Sequence, residues 1–137
     1  MGTRAIIGLG LLLAVAGPAA AQKLNPAGTW LSQTGETRVR LAPCGGQMCG
    51  TIVWVKTPGK DVHNPDPSKR GRDLVGLPMI TMSPSGADQW KGTLYNYTNG
   101  KDYTGTMKMV SQNTMELSGC VGGIFCRSQT WTRSEPR

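Results

Sequence analysis

The chain has 137 residues, with 19 glycines and 9 prolines, and a formal net charge of +7 from 15 Lys and Arg against 8 Asp and Glu. This length allows one domain with a real core and excludes a second domain of ordinary size. The frequent glycines and prolines favour many short strands joined by turns over long helices. The positive charge is typical of a solvated cationic surface, or of a protein that meets an acidic polymer or an anionic lipid.

The N-terminal segment has the three parts of a secretory signal peptide. Arg4 supplies the positive charge, residues 5–16 form an apolar run, and three alanines at residues 19–21 precede Gln22. A membrane-spanning helix is the alternative, but it needs about 20 apolar residues, more than this run provides. We predict cleavage after residue 21, which leaves residues 22–137 as a single periplasmic or secreted domain without a transmembrane segment. Export makes nucleic acid the poorest partner for the positive charge.

Eight strands are expected in the mature part, joined mostly by tight turns. They cover residues 28–32, 37–42, 49–56, 77–82, 89–97, 103–110, 114–120 and 126–133, with a turn expected over residues 84–86. Apolar and polar side chains alternate in several of these segments, which indicates half-buried strands. Sequential hairpins in this number predict an all-β fold, an eight-stranded antiparallel up-and-down barrel. A barrel of this size is either filled with side chains or encloses one small ligand.

All four cysteines lie in the predicted mature part, as an oxidising compartment permits. Three pairings are possible. Cys44 and Cys49 bracket one pair of glycines, and Cys120 and Cys126 bracket another, so we predict the local disulfides Cys44–Cys49 and Cys120–Cys126. The alternative is a zinc site with four cysteine ligands, but the usual spacing of two residues between paired ligands is absent.

One long irregular stretch, residues 57–76, interrupts the pattern of strands and turns. Long loops in compact domains are usually functional or mobile. This loop mixes prolines with acidic and basic side chains, which either hold the loop together or dock it on an acidic partner. The candidate interaction residues in it are Asn64, Asp66, Lys69, Arg70 and Arg72.

No catalytic, metal or cofactor site is expected. His63 is the only histidine, and no G-x-S-x-G nucleophile motif is present. Asp61, Asp66 and Asp73 could act as acid and base, but acids beside Lys and Arg more often stabilise a loop. Methionine sulfurs can bind Cu(I), but methionines at strand spacing are more typical of a core or of a pocket lining.

The last strand has no purely apolar face. If Trp131 points inward, strict alternation brings Arg127 and Gln129 with it. One interpretation is a ligand cavity in which Arg127 meets an anionic head group; the alternative is a β-bulge near Cys126 that turns Arg127 to solvent. The apolar residues expected to line such a cavity are Trp54, Trp90, Tyr103, Met107 and Met109.

The two ends of the domain resemble lipocalin-like (calycin) barrels. In those barrels a Trp on the first strand packs under a basic residue on the last strand. Gly28-Thr29-Trp30 and Arg133 match that arrangement, and the resemblance implies a cation–π contact between Trp30 and Arg133 that closes the barrel.

A larger set of motifs resembles the bacterial exported family known as domain of unknown function 2147. The motifs are Gly28-Thr29-Trp30, Gly50-Thr51-Ile52-Val53-Trp54 after Cys44 and Cys49, Asn64-Pro65-Asp66, Arg70-Gly71-Arg72, Gly76-Leu77, Trp90-Lys91-Gly92, Gly100-Lys101-Asp102-Tyr103 and Ser128-Gln129-Thr130-Trp131-Thr132-Arg133. The resemblance implies a lipocalin-like fold and no established activity. The sequence ends at Arg137, so we expect the helix that lipocalins pack after the last strand to be missing.

These features favour a non-enzymatic exported binding protein that holds a small apolar or amphipathic ligand inside the barrel. The alternative is a cell-envelope interaction protein with a packed barrel, which docks through the basic loop at Lys69, Arg70 and Arg72. An open space between Trp54, Trp90 and Met107 would separate the two hypotheses.

Overall fold

The computed structural model describes residues 24–122 and 124–134, together with Gly2, Gly8 and Gly10. Apart from those three glycines, the predicted signal peptide and its cleavage site lie outside the described residues. The prediction about a helix after the last strand concerns residues 135–137, which also lie outside them. Nowhere in the described stretches is a helix long and apolar enough to cross a membrane.

Eight strands follow one another along the chain. They are β1 (Gly28–Leu31), β2 (Thr37–Cys44), β3 (Gln47–Val55), β4 (Pro78–Gly86), β5 (Gln89–Asn96), β6 (Lys101–Ser111), β7 (Thr114–Val121) and β8 (Phe125–Ser134). Each strand pairs antiparallel with the next, and β8 returns to pair with β1, so the sheet closes into a barrel. The predicted eight-stranded antiparallel barrel is therefore confirmed.

The up-and-down order places alternate connections at opposite ends of the barrel. We call the end with the β1–β2, β3–β4, β5–β6 and β7–β8 connections the open end. We call the other end, where the chain enters at residues 24–27 and where β8 finishes, the closed end.

The fourth strand is longer than predicted. The expected turn over residues 84–86 is part of β4, and Pro84 pairs with Trp90. The turn is instead the two residues before β5, where Asp88 has a φ of 54° in the left-handed region that Asp tolerates. A register shift between Pro84 and Gly86 accommodates the proline, which lacks a backbone N–H to donate.

Buried apolar side chains form one core cluster, most of it inside the barrel. The buried apolar residues are Trp30, Val39, Leu41, Met48, Ile52, Val55, Leu74, Leu77, Ile80, Met82, Leu94, Tyr95, Met107, Met109, Met115, Leu117 and Trp131. Several are methionines, whose flexible thioether chains fill irregular gaps. Leu74 and Leu77 come from the β3–β4 loop, so this loop contributes to the core.

Trp30 and Arg133 meet at the closed end. Trp30 is fully buried, its indole N–H donates to the carbonyl of Pro26 at 2.8 Å, and the Arg133 guanidinium lies 4.4 Å from the ring centroid. The guanidinium also donates to the carbonyls of Asn25, Ala27 and Gln112, each at 2.8 Å. Arg133 thus ties the entering chain, the β6–β7 turn and the last strand together.

Both predicted disulfides are confirmed. Cys44–Cys49 bridges the β2–β3 hairpin at the closed end, and Cys120–Cys126 bridges the β7–β8 hairpin at the open end. Each closes a short loop, which removes conformational freedom from the unfolded chain.

Candidate functional site

The open end of the barrel contains a cavity of about 970 Å³. Leu94, Leu117 and Trp131 line it and are almost fully buried, so they form an apolar floor over the packed half of the barrel. The volume lies within the range of small-molecule sites, roughly 300–1,000 Å³. The cavity is open to solvent, so a ligand can enter without a rearrangement of the barrel.

Strand β8 supplies the polar side of this cavity. Its pairing with β7 runs without a register shift from Phe125 to Thr132, so no bulge interrupts the alternation of side chains. Arg127, Gln129 and Trp131 consequently share the inner face, and all three line the cavity. Of the two interpretations of this strand, the structure shows the strictly alternating one.

Among the described residues that line the cavity, Arg127 is the one basic residue and Glu36 is the one acidic residue. Within the described part of the chain the Arg127 side chain makes no hydrogen bond or ion pair, and it is exposed. Next to it, the Trp131 indole N–H donates to Gln129 Oε1 at 3.0 Å. The cavity therefore presents an unpaired cation above an apolar floor.

Tyrosine hydroxyls contribute to the rim of the cavity. Tyr103 accepts a hydrogen bond from Asn99 Nδ2 at 2.6 Å. Tyr97, which follows β5, lies 2.7 Å from Thr37 Oγ1 at the start of β2. These bonds fix the positions of the aromatic rings, so the rim is formed before any ligand arrives.

Tyr103, Arg127 and Gln129 are the predicted ligand residues that the structure brings together. Trp54 does not line the cavity, for a specific reason. The pairing of β2 with β3 shifts between Arg38 and Val39, so that Arg38 lies opposite Trp54. The shift turns Trp54 to the outer face, where its ring stacks on Arg38 at 4.6 Å.

Trp90, Met107 and Met109 also lie away from the cavity. Met107 and Met109 are buried in the packed half of the barrel, and Trp90 is half-buried beside Met107 as its cross-strand partner. Trp54, Trp90 and Met107 do not enclose a common space, because Trp54 lies on the outer face near the open end whereas Trp90 and Met107 lie toward the closed end. The open volume lies at the open end.

The floor residues Leu94 and Leu117 were missed by sequence reasoning. Leu117 belongs to the site because it pairs with Gln129 across β7 and β8, and Leu94 because it pairs with Tyr103 across β5 and β6. Only the register between strands reveals these neighbours. One signal for this site is present in the sequence: side chains alternate along β8, which puts Arg127 and Trp131 on the same face.

Asp61 organises the long β3–β4 loop beside the open end. Its carboxylate is fully buried and accepts hydrogen bonds from Tyr95 Oη at 2.6 Å, Asn64 Nδ2 at 2.8 Å and Arg72 Nε at 3.0 Å. The loop also packs against the β5–β6 turn, because a Cβ at Gly100 would overlap the carbonyl oxygen of His63. The loop is therefore an ordered part of the barrel wall.

The same contacts shift two pKa values in opposite directions. Burial acts to raise the pKa of Asp61, but the hydrogen bonds from Tyr95, Asn64 and Arg72 outweigh it and lower the pKa below the ordinary 3.8. Burial, together with the bond to the Asp61 carboxylate, raises the pKa of Tyr95 to about 12. Asp61 therefore stays ionised and Tyr95 stays protonated at neutral pH.

The candidate interaction residues of this loop are largely engaged within it. Asn64 and Arg72 bind Asp61, and Arg70 Nε donates to the backbone carbonyl of Asn64 at 2.8 Å. Asp66 accepts from the Ser68 hydroxyl at 2.7 Å and from its backbone N–H at 3.0 Å, contacts that lower the pKa of Asp66. Only Lys69 presents an exposed side chain free of such side-chain bonds. Docking of this loop on an envelope component stays a prediction.

A second depression of about 820 Å³ lies outside the barrel at the closed end. Arg133 and Thr29 line it, with polar neighbours and no large apolar side chain, and Arg133 is already engaged with three carbonyls. Among the described residues, no group of three or more His, Cys, Asp and Glu side chains lies close enough to hold a metal ion. The cavity at the open end is therefore the better candidate site.

Comparison with known proteins agrees with this architecture. Residues 28–133 match a family described as an uncharacterised protein conserved in bacteria, domain of unknown function 2147. A solved structure, "Protein HP1028 from the human pathogen Helicobacter pylori belongs to the lipocalin family", superposes with a TM-score of 0.74. It shares 22% identity, over 82% of this chain and 84% of that one, which shows a common fold. No curated protein matches the sequence significantly. The chain is a lipocalin-like barrel and belongs to the bacterial family known as domain of unknown function 2147.

Proposed function

We propose that this chain is an exported, non-enzymatic binding protein that holds a small amphipathic molecule at the open end of its barrel. The observation that carries the proposal is the unpaired Arg127 guanidinium above the apolar floor of Leu94, Leu117 and Trp131. A ligand with an apolar chain and an anionic head group matches both features. The apolar chain would cover the floor, and the head group would meet Arg127.

The polarity of the cavity supports this class of ligand. Removing apolar surface from water is favourable at roughly 25 cal/mol per Å², so an apolar chain gains from contact with the floor. A guanidinium pairs well with a carboxylate or phosphate because its donors form a planar fork. Tyr103 and Gln129 add polar atoms beside Arg127.

Export is the second part of the proposal. Two disulfides support it, because disulfides persist mainly in oxidising compartments such as the periplasm. The N-terminal charge, apolar run and small-residue site support it as well. These two features together support a periplasmic or secreted location.

Arg127→Gln is expected to weaken binding of a fluorescent fatty acid by roughly ten- to a hundredfold, the range for loss of a charge-assisted hydrogen bond. Binding of the methyl ester of the same acid should change little, because the ester carries no charge for Arg127 to meet. Fluorescence titration of both probes measures the two dissociation constants.

The control for this experiment is Arg40→Gln, because Arg40 is an exposed arginine on β2 outside the cavity. It removes the same charge from the protein and should leave both affinities unchanged. Equal losses for Arg127→Gln and Arg40→Gln would show a general effect of net charge and would refute the assigned role of Arg127.

A further inference from the structure

Large apolar side chains are exposed at the tip of the β7–β8 hairpin, on the rim of the cavity. Val121 is 52% exposed, Ile124 81% and Phe125 77%. Large exposed apolar side chains that cluster on one surface usually mark a contact with a partner or a membrane. Val62 and Val75, which are also at least half exposed, lie in the β3–β4 connection at the same end. Exposed apolar surface is therefore concentrated at the open end.

The hairpin tip is paired on one side only and is exposed to solvent. Strand β8 pairs with β1 only from Thr132 onward, so its first half has one strand neighbour, β7. Its residues 125–130 are all exposed, and Cys120–Cys126 braces the hairpin. A braced, exposed apolar tip suits insertion into a fluid layer, because insertion needs neither a matching pocket nor reordering of the hairpin.

Positive charge accompanies the tip. Arg127 is two residues from Phe125 and has no ionic partner among the described residues. The chain as a whole carries a formal charge of +7, of which Arg4 in the predicted signal peptide contributes one. Basic residues near an anionic lipid surface are attracted to it, and apolar residues then set the depth and the orientation.

We propose that the β7–β8 tip docks this protein on an anionic lipid membrane, with Ile124 and Phe125 inserted among the head groups and the mouth of the cavity facing the bilayer. The proposal goes beyond the ligand-binding function and shares one residue, Arg127, with it. An anionic lipid surface can accept the apolar side chains of the tip and attract its positive charge at the same time.

Co-sedimentation with vesicles tests the docking. Wild-type protein should bind vesicles containing phosphatidylglycerol more strongly than vesicles of phosphatidylcholine alone. The double variant Ile124→Ser, Phe125→Ser should lower the partition coefficient at least about tenfold, since two large apolar contacts are lost. Both side chains are mostly exposed, so the fold should survive, which circular dichroism verifies.

Val110→Ser is the matched control. Val110 is 59% exposed near the end of β6, toward the closed end of the barrel. Its replacement should leave vesicle binding unchanged. Equal partition of wild type and double variant would overturn the proposal, and so would absence of binding to either vesicle type.

A second copy of this chain is the competing occupant of the tip, and sedimentation equilibrium without lipid tests it. The wild type should be a monomer, and a dimer that the double variant abolishes would overturn the membrane proposal. Titration of the wild type with the fluorescent fatty acid in the absence of vesicles keeps the two proposals distinguishable, because it measures ligand binding without docking. Fatty-acid binding without vesicle binding would overturn the docking proposal alone.

Discussion

Trp30→Ala is expected to lower the free energy of unfolding by about 3–5 kcal/mol, the cost of deleting a large aromatic side chain from a packed core. Trp30 is fully buried, and its removal would leave a cavity under the Arg133 guanidinium. The buried carbonyl of Pro26 would also lose its indole donor. Urea denaturation followed by circular dichroism measures the change.

Trp54→Ala is the matched comparison for this prediction. Trp54 also stacks on an arginine, at 4.6 Å from Arg38, but it lies on the half-buried outer face. Its loss should cost roughly 1–2 kcal/mol, the cation–π contact and part of its apolar burial. Equal losses for the two tryptophans would contradict the view that the Trp30–Arg133 contact closes the barrel.

Asp61→Ala is expected to destabilise the protein by about 3 kcal/mol. The substitution removes the acceptor of three hydrogen bonds and leaves the buried Tyr95 hydroxyl without a partner. Arg72 is about one-third exposed, so it can turn to water and the cost stays below that of a fully buried pair. The unfolding free energy at neutral pH measures the loss.

Asp73→Ala serves as the control, because Asp73 pairs with Lys60 on the surface, where its side chain is 69% exposed. Surface ion pairs contribute about 0–1 kcal/mol, so this change should be small. If Asp73→Ala costs as much as Asp61→Ala, then general charge loss, and not the buried network, explains the result.

The lowered pKa of Asp61 adds a pH dependence with a definite sign. The pKa of Asp61 is lower in the folded protein than the ordinary value of 3.8 expected in the unfolded chain. Ionisation of this carboxylate therefore stabilises the fold at pH values above 3.8. The stabilisation declines as the pH falls below 3.8 and is lost below the folded-state pKa. Asp61→Asn should therefore reduce the acid destabilisation seen in the wild type. An unchanged slope of stability against pH would contradict this.

The strand pattern of the barrel was predictable because turns and alternation are local properties. Asn99-Gly100, Gly45-Gly46 and Gly122 lie at hairpin turns, which fixes where strands end. The disulfides followed from the same turns. The fourth strand was harder, because a proline inside a strand reads as a turn unless a register shift accommodates it.

The site was only partly predictable because it depends on register. A register shift between Arg38 and Val39 in the pairing of β2 with β3 places Trp54 on the outer face of the barrel. The local sequence contains no signal for this shift. The depth of packing is also a property of the whole barrel, so Met107 could not be assigned to core or cavity beforehand. Arg127 was identified because its inward direction follows from alternation with Trp131 alone.

The long loop shows how a charge pattern can carry two meanings. Its basic residues suggested a docking surface, but the structure places Arg70 and Arg72 in contacts with Asn64 and Asp61. The buried carboxylate explains the mixture of acids and bases: the loop needs both to fold against Tyr95. The mixed charges of this loop therefore have a structural role, because they hold the loop together around the buried Asp61.

The most direct test of the binding function is native mass spectrometry of the protein purified from its own host, beside the same spectrum after denaturation. If the barrel carries a ligand, the native spectrum shows an added mass that disappears on denaturation and is reduced in Arg127→Gln. A native mass equal to that of the polypeptide alone, with a crystal structure in which side chains fill the space between Leu117, Arg127 and Trp131, would contradict the binding function.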